Sequence, residues 1–443
     1  MQLIRSLYFT NRLYFSLASL VCLFVLAFFM PLLLLFAKVA LGVLVLLALL
    51  DFLLLYNNRQ GMFASRSMQE KLSNGSDNDV YLYLENKYNF PVKTEVIDEL
   101  PFQFQKRDSL FKTAVAKGRT QVIHYTLRPT KRGSYLFGAI NVYAMSPLQL
   151  VKRRFRFAQD QEVPVYPSFV QMRQYELMAI SNRLQEFGVK KVRRIGHSSE
   201  FEQIRPYVAG DDQRTINWKA SARKADLMVN SYQDEKSQQV YCLIDKGRVM
   251  QMPFEGLSLL DYAINASLVI SNIALKKQDK AGIITFSNKI SNLLPAQRKS
   301  DQIRRIMELL YNQRTKYQET DYERLYATVR SKIKQRSLLL LFTNFETLNG
   351  AQRQLPYLRA LAKHHLLVVI FFENTELHAL LEKPANNTAE VYTKAIAQKF
   401  DFDKRQIVKQ LQQHGIHAIL TPPKQLTVNT INKYLELKSR GLI

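Results

Sequence analysis

The N-terminal apolar stretch constrains the fold of this chain more than any other feature. From Leu13 to Tyr56 the sequence is almost continuously apolar, and only Pro31, Lys38 and Asp51 interrupt it. Such a run is too long for one membrane span, but it fits two helices of about 20 residues each. The first segment, residues 1–56, is therefore predicted to be a transmembrane helical hairpin.

We predict the hairpin helices over Leu13–Met30 and Leu35–Tyr56, with the turn at Pro31–Lys38. Cationic residues flank the outside of the pair, whereas only Lys38 lies between the helices, so the positive-inside rule puts both ends in the cytoplasm. A cleaved signal peptide is the alternative, but the apolar run continues far beyond the length of such a segment. Asp51 could mark an ion path, although its place near the helix end favours an interfacial position. The flanking cations are Arg5, Arg12, Arg59, Arg66 and Lys71.

The charge balance of the whole chain is strongly basic. Lys and Arg number 62 against 37 Asp and Glu, which gives a net charge of +25. This excess favours anionic partners, and beside a membrane anchor it favours the anionic lipid face over nucleic acid. No nucleic-acid-binding motif is evident, and we expect no nucleic-acid partner. Cys22 and Cys242 have no plausible disulfide partner, which fits a reducing compartment.

The middle of the chain divides by composition and periodicity. Residues 57–78 are polar and are interpreted as a linker. Residues 79–169 alternate apolar and polar side chains between turns, which predicts a small antiparallel β-sandwich. Residues 170–237 form a connector, with a predicted helix at Gln171–Glu186 and a basic run after it. That run consists of Lys190, Lys191, Arg193 and Arg194.

From residue 238 to 443 the pattern changes to strands alternating with helices. The apolar runs lack alternation, so they predict buried strands of a parallel, doubly wound α/β sheet covered on both faces. The predicted strands are Val240–Ile244, Ala281–Phe286, Ser337–Phe342, Leu366–Phe372 and Ile416–Leu420. The predicted helices are Leu257–Lys277, Ser300–Asn312, Asp321–Ile333, Gln352–Lys363 and Val428–Lys438.

A dense motif lies in the connector, between Glu200 and Arg223. It reads EFEQIRPYVAGDDQRTINWKASAR and contains the chain's only tryptophan, Trp218. The pattern R-x-Y-x-x-G-D-D-x-R-x-I-x-W-x-x-S-A-R resembles the signature of the bacterial family known as domain of unknown function 58. The candidate motif residues are Arg205, Tyr207, Gly210, Asp211, Asp212, Arg214, Trp218 and Arg223.

The resemblance implies a layout and a partner. This family combines a membrane hairpin, an immunoglobulin-like β-domain, the signature and a von Willebrand factor A-like domain. It also implies residence in the bacterial inner membrane and association with MoxR-type AAA+ ATPases. We therefore expect a two-pass inner-membrane protein, with the bulk of the chain cytoplasmic, that works with such an ATPase.

The resemblance further implies a place for a divalent cation, after the first strand of the α/β domain. Von Willebrand A domains carry D-x-S-x-S there, with a Thr and an Asp in later loops. Here Gly247 and Val249 replace the two serines after Asp245, Thr320 fits the later Thr, and Asn344 replaces the later Asp. Hard cations need several oxygen ligands, some of them anionic, so we expect a degenerate site without metal.

Two interpretations of the signature remain open. Its arginines could recognise a partner's carboxylates, or Asp211 and Asp212 could pair with them while Tyr207, Ile216 and Trp218 pack against the first strand. Phosphate-binding, zinc-protease and nucleophile-elbow motifs are absent. We therefore expect a non-enzymatic adaptor or assembly protein without a cofactor. The alternative is an enzyme acting on an anionic cell-envelope precursor.

Overall fold

The computed structural model describes residues 6–106, 109–180, 199–208, 211, 213–234, 237–315, 317–385 and 387–442. The chain divides into two compact units, Met1–Tyr166 and Pro167–Ile443. The predicted basic run at residues 190–194 and the end of the helix predicted to reach Glu186 lie outside the described residues.

Two long apolar helices follow a short strand, β1 (Leu7–Phe9), in the first unit. Helix α1 spans Asn11–Phe29 and helix α2 spans Pro31–Tyr56. The turn predicted over Pro31–Lys38 is therefore wrong, because Met30 alone separates the helices. Proline is well tolerated at the first position of a helix, where its missing N–H would have no partner, so it begins α2 and does not break the chain into a loop.

Both helices are long and apolar enough to cross a membrane, and few of their side chains are buried within the protein. Phe28 and Leu32 are 84% and 79% exposed, for example. A core helix of a soluble domain buries its large apolar side chains, whereas most of these side chains are exposed within the protein. This supports the predicted pair of membrane helices.

The last turns of α2 are fastened to the β-strands of the same unit. Asp51 is fully buried, and its Oδ2 accepts hydrogen bonds from the backbone N–H groups of Leu150 and Val151, both at 2.8 Å. Asp51 therefore satisfies two backbone N–H groups at the point where the chain enters a β-strand at Val151.

A second set of contacts holds the carboxyl end of α2, whose last carbonyls lack partners within the helix. The Arg153 guanidinium donates to the carbonyls of Leu55, Asn58 and Arg59. The Tyr88 hydroxyl donates to the Leu55 carbonyl at 2.7 Å. A cation at this end also complements the helix dipole.

The predicted antiparallel strands of the first unit are present. The strands after the helices are β2 (Met62–Met68), β3 (Leu72–Ser73), β4 (Asn78–Asn86), β5 (Val92–Asp98), β6 (Leu110–Val115), β7 (Thr120–Leu127), β8 (Gly133–Phe137), β9 (Ile140–Met145), β10 (Val151–Phe157) and β11 (Gln161–Tyr166). Five strands form one sheet in the order β1-β10-β9-β5-β6. The others form two three-stranded sheets, β2-β4-β7 and β3-β11-β8, and among these described strands only the β3–β11 pair is parallel.

Residues 57–78, which we interpret as a linker, contain β2 and β3. Strand β2 pairs along its whole length with β4 and buries Met62 and Ala64. Small and polar residues such as Ser65 have low strand propensity, so the alternation is hard to see in the sequence. The pairing partner, not local propensity, makes this segment a strand.

An ion pair is buried inside the first unit. Arg66 and Asp98 form a bidentate pair whose side chains are 1% and 0% exposed. Arg66 also donates to the Gly138 carbonyl at 3.0 Å, and the Tyr125 hydroxyl donates to Asp98. With both charges compensated and hydrogen-bonded, the pair is tolerated, but the loss of one partner would leave a buried charge.

The second unit begins with a helix and a hairpin and then forms a six-stranded mixed sheet in the order β18-β17-β14-β19-β20-β21. Its strands are β12 (Ser199–Pro206), β13 (Met228–Asp234), β14 (Gln239–Asp245), β15 (Pro253–Phe254), β16 (Leu257–Ser258), β17 (Lys280–Phe286), β18 (Ile290–Gln297), β19 (Leu338–Phe342), β20 (Leu366–Phe372) and β21 (His417–Thr421). The five predicted strands are confirmed, and four of them are buried, whereas β21 is a partly buried edge strand. The prediction of a wholly parallel sheet is wrong, because β18 runs antiparallel at the edge, where its Pro295 is tolerated.

Helices cover both faces of this sheet. The helices of the unit are α3 (Phe169–Ile180), α4 (Trp218–Lys224), α5 (Leu259–Lys276), α6 (Gln302–Tyr311), α7 (Tyr322–Lys332), α8 (Leu348–His364), α9 (Thr375–Glu382), α10 (Thr388–Gln413) and α11 (Leu426–Ser439). Helices α5, α6 and α11 pack on one face of the sheet, and α7, α8 and α10 pack on the other. Sequence reasoning missed α9 and α10, although Asn387 and Glu390 form an N-terminal capping pair that could have revealed α10.

The buried Arg66–Asp98 pair gives a stability prediction. Asp98→Asn removes the negative charge and leaves the guanidinium buried without compensation, so we expect a loss of about 3–5 kcal/mol. Glu85→Gln is the control, because Glu85 lies 3.8 Å from Lys87 in an exposed pair and should contribute at most about 1 kcal/mol. Chemical unfolding of the purified chain measures both. Equal effects of the two substitutions would contradict the prediction.

Candidate functional site

The carboxyl edge of the central strands is where an open α/β sheet places a ligand site. From β14 the chain crosses to β17 on one side, and it later returns to β19 on the other side of β14. Ligands bind beyond the carboxyl ends of strands where the winding direction reverses. Asp245 ends β14 at this point, and Thr343 and Asn344 follow β19.

Asp245 lies at the centre of a closed hydrogen-bond network. It is fully buried, and its Oδ1 accepts from the Gly247 N–H at 2.7 Å and from the Thr320 hydroxyl at 2.6 Å. Its Oδ2 accepts from the Thr343 hydroxyl at 2.7 Å. The Thr343 hydroxyl in turn contacts the Tyr322 hydroxyl at 2.7 Å. Neutral donors thus surround both carboxylate oxygens.

Burial raises the pKa of Asp245 above the ordinary carboxyl value, and the hydrogen bonds from Thr320, Gly247 and Thr343 oppose that rise. Both carboxylate oxygens are satisfied by donors of the protein itself. The surroundings of Asp245 are therefore those of an internal structural acceptor.

The glycine at position 247 lets Thr320 reach Asp245. A Cβ atom at this position would lie 2.0 Å from the Thr320 Oγ1, far inside contact distance. The Gly247 backbone is extended, with φ of −67° and ψ of 174°, so its conformation does not require glycine. The requirement comes from the neighbouring threonine hydroxyl.

The residues present do not fit a divalent cation. Asp245, Thr320 and Asn344 line one crevice of about 120 Å³, as the resemblance implies. The Asn344 amide oxygen, however, accepts a 2.6 Å hydrogen bond from Lys404, and Asp245 is the only anionic member of the set. No cluster of three His, Cys, Asp or Glu side chains occurs among the described residues. Glu319 and Glu346 also line the crevice, but both oxygens of Asp245 already accept hydrogen bonds from the protein and the Lys404 ammonium group lies nearby. A hard cation would have to displace these donors to gain Asp245 as a ligand.

Lys404 is a residue that sequence reasoning missed. Its ammonium group donates to the Asn344 amide oxygen and, at 2.7 Å, to the Phe372 carbonyl. The sequence signal was present, because Lys404 falls between Phe400 and Val408 at helical spacing, on a face of α10 that is otherwise apolar. A lysine on such a face is partly buried and must find acceptors inside the protein.

The signature motif folds into the hairpin of β12 and β13 with α4 between them. The Arg205 guanidinium forms a bidentate pair with Asp211, at 2.8 and 2.6 Å. Asp211 also accepts from the Val208 N–H at 3.0 Å. This pair fixes the loop that follows β12. Gly210 and Asp212 lie outside the described residues.

Several side chains in and just after the motif are exposed, and we call this set the Trp218 platform. Backbone hydrogen bonds from Tyr207 to Leu227 and from Asn217 to Met228 bring their segments together. The platform comprises Trp218, at 71% exposed, and the exposed apolar residues Val208 and Leu227, at 60% and 48%. Arg214 and Arg223 are also exposed, whereas Tyr207 and Ile216 are partly buried. The structure thus contradicts packing of Trp218 against the first strand, and it places the Arg205–Asp211 contact inside the motif.

Comparisons with known sequences agree with the resemblance. Residues 203–406 match the family described as protein of unknown function DUF58. A Bacillus subtilis (strain 168) protein described as uncharacterized protein YeaD is 30% identical over 247 residues, which cover 53% of this chain and 58% of that protein. The chain therefore spans less than two thirds of this curated relative.

Solved structures show only weak overall likeness. The conserved hypothetical protein BatB from Bacteroides thetaiotaomicron is 13% identical and covers 46% of this chain and 98% of its own, with a TM-score of 0.27. A PapD-like domain of human CEP192 is 15% identical and covers 24% of this chain and 84% of its own, with a TM-score of 0.18. TM-scores this low do not establish a shared fold.

The contact between Gly247 and Thr320 gives a testable prediction. Gly247→Ala should destabilise the protein by about 1–3 kcal/mol, because the new methyl group displaces the Thr320 hydroxyl from Asp245. Gly350→Ala is the control, since its Cβ would meet only the Thr347 Oγ1, at 3.2 Å.

Thermal unfolding of the full chain measures the change. Adding Thr320→Ala should remove the overlap, so the double variant should lose less than the sum of the two single losses. Strict additivity would mean that the threonine is not the cause.

Proposed function

We propose that this protein is a membrane-anchored, non-enzymatic adaptor whose von Willebrand A-like α/β unit binds a protein partner. The partner that the family resemblance implies is a MoxR-type AAA+ ATPase. The observation that carries the proposal is the exposure of Trp218 in a motif in which Arg205 and Asp211 form a bidentate pair.

An exposed tryptophan beside arginines is the composition of an interface anchor. Trp and Arg are the residue types that most often carry the binding energy of a protein interface. Arg214 and Arg223 are exposed four and five positions from Trp218 in the sequence, and Val208 and Leu227 add exposed apolar side chains to the same set. A partner with an apolar pocket rimmed by carboxylates would match this surface.

The carboxyl edge of the sheet supports an adaptor better than an enzyme. Asp245 is fully buried, and both of its carboxylate oxygens accept hydrogen bonds from within the protein. A general base must reach a substrate proton, and Asp245 faces Thr320 and Thr343 instead. These contacts give the edge a structural role that needs no substrate.

The membrane placement follows from charge and hydropathy. Helices α1 and α2 would span the bacterial inner membrane with both ends in the cytoplasm, since cationic residues flank the pair on the outside. The net charge of +25 would then hold the rest of the chain near the anionic lipid face. An adaptor in this position can present membrane-bound clients to a cytoplasmic ATPase.

Affinity capture tests the partner. The tagged full-length protein is recovered from gently solubilised membranes with and without ATP, and the bound proteins are identified by mass spectrometry. We expect a nucleotide-dependent AAA+ ATPase with the parent protein and its loss with Trp218→Ala, because removal of an interface tryptophan costs about 2 kcal/mol or more, or roughly 30-fold in affinity.

The control for this capture is Tyr317→Ala, since Tyr317 is 76% exposed in the same unit but lies outside the platform. It should leave capture unchanged. Recovery of no ATPase by the parent protein, or equal recovery by the parent and the Trp218 variant, would contradict the proposal.

Cysteine labelling tests the topology. In a Cys22→Ser background, Met30→Cys places a thiol between the helices, at a position that is 63% exposed, and Gln60→Cys places one just after α2. A membrane-impermeant maleimide should label position 30 in cells with a permeabilised outer envelope. Position 60 should react only after the inner membrane is broken. The reverse pattern would rule out a cytoplasmic location for the bulk of the chain.

A further inference from the structure

A second, larger cleft opens at the carboxyl edge of the sheet, beyond β19 and β20. Its volume is about 460 Å³, within the range of small-molecule pockets in proteins. The cleft is bounded by α9 and α10 and by the loops after the two strands. Most of its exposed lining surface is apolar and comes from residues such as Phe254, Phe372, Leu377, Leu381 and Phe400, and polar and charged residues, including Lys404 and three carboxylates, line the rest.

Lys404 supplies the cation of this cleft. Its ammonium group donates only to neutral oxygens, the Asn344 amide at 2.6 Å and the Phe372 carbonyl at 2.7 Å. No carboxylate of the described residues lies within ion-pair distance of it. An ammonium group has three N–H donors, so Lys404 can make one more hydrogen bond while keeping these two.

Three carboxylates, Glu346, Glu373 and Asp401, also line the cleft, and two of them contact arginines. Asp401 is 2.8 Å from Arg405, and Glu346 is 3.6 Å from Arg248. Glu373 follows β20 and also lines the cleft. The charge that Lys404 presents to the cleft is therefore not matched by a direct ion pair within the described part of the chain.

We propose that this cleft is a binding site for a small organic carboxylate with an apolar chain. The carboxylate would accept the remaining hydrogen bond of Lys404, and the chain would lie against Phe254, Phe372, Leu377 and Phe400. A charge-assisted hydrogen bond in an apolar site is strong and directional, so the head group would fix the orientation of the ligand.

The titration of Lys404 supplies an independent readout. Burial lowers the pKa of Lys404 to about 8, and the fields of Glu346 and Glu373 oppose that shift. Asp401 and Arg405, an ion pair of opposite charges, flank it on its own helix. If only the ammonium form binds the carboxylate, raising the pH from 7 to 9 weakens binding by up to about tenfold.

The test uses the full chain in phosphatidylcholine nanodiscs, with empty nanodiscs as the blank, and calorimetric titration with octanoate, octan-1-ol and octylamine. We expect octanoate to bind at least about tenfold more tightly than either of the others at pH 7, and to lose that advantage at pH 9. Equal binding of octanol would show an apolar cleft without a head-group site. Tighter binding of octylamine would show that the carboxylates determine the specificity. Both results would overturn the proposal.

Substitutions distinguish octanoate binding in the cleft from nonspecific binding and from unfolding. Lys404→Met should abolish the preference for octanoate, whereas Lys409→Met, at an exposed lysine on the same helix, should leave it unchanged. Leu381→Trp should fill the cleft and weaken octanoate binding with Lys404 intact, which keeps the test valid if the Lys404 variant unfolds. Trp218→Ala should have no effect, because the platform and the cleft share no residues. Retention of octanoate binding in both cleft variants would refute the site.

Discussion

The end of α2 is the point on which the first unit depends. An α-helix leaves its last carbonyls without partners inside the helix, and these groups must be satisfied where the chain enters a folded domain. Arg153 and Tyr88 satisfy them from the β-sheets, and Asp51 accepts the N–H groups of Leu150 and Val151 from the helix side. Because donors and acceptors come from both elements, the helices and the sheets of this unit are fastened as one body.

At the carboxyl edge of the α/β sheet, buried charged groups are likewise satisfied by hydrogen bonds, in this case with uncharged partners. A buried carboxylate is costly unless donors surround it, and in this chain two threonine hydroxyls and a backbone N–H surround Asp245. Lys404 meets the same requirement with two neutral oxygens. Asp245 is therefore satisfied within the protein, whereas Lys404 retains one N–H donor and lines the larger cleft together with three carboxylates.

The sequence predicted the parts of the fold in which local pattern and burial agree. The apolar helices and the five predicted strands of the α/β sheet were visible because each is an unbroken apolar run of the length typical of its element. Strand β2 was not visible, since Ser65 and its neighbours have low strand propensity and depend on pairing with β4. The turn between the helices was misplaced because Pro31, a residue typical of turns, is equally suited to begin a helix.

The candidate site was also predicted only in part from the sequence. Asp245 and Thr320 were expected to lie together and do so, because both follow from the motif and from sheet topology. The role of Gly247 could not be read from the sequence, since it depends on the distance to the Thr320 hydroxyl. The exposure of Trp218 was equally hidden, because an indole ring is as suited to a core as to an interface.

Photo-crosslinking in living cells tests most directly whether the Trp218 platform contacts an AAA+ ATPase. A photoreactive phenylalanine derivative at position 218 is compared with the same residue at position 317, where the side chain is similarly exposed. If the Trp218 platform binds the ATPase, we expect a crosslink to an AAA+ ATPase from position 218 and none from position 317. The same adducts from both positions, or adducts from position 218 that never contain an ATPase, would contradict it.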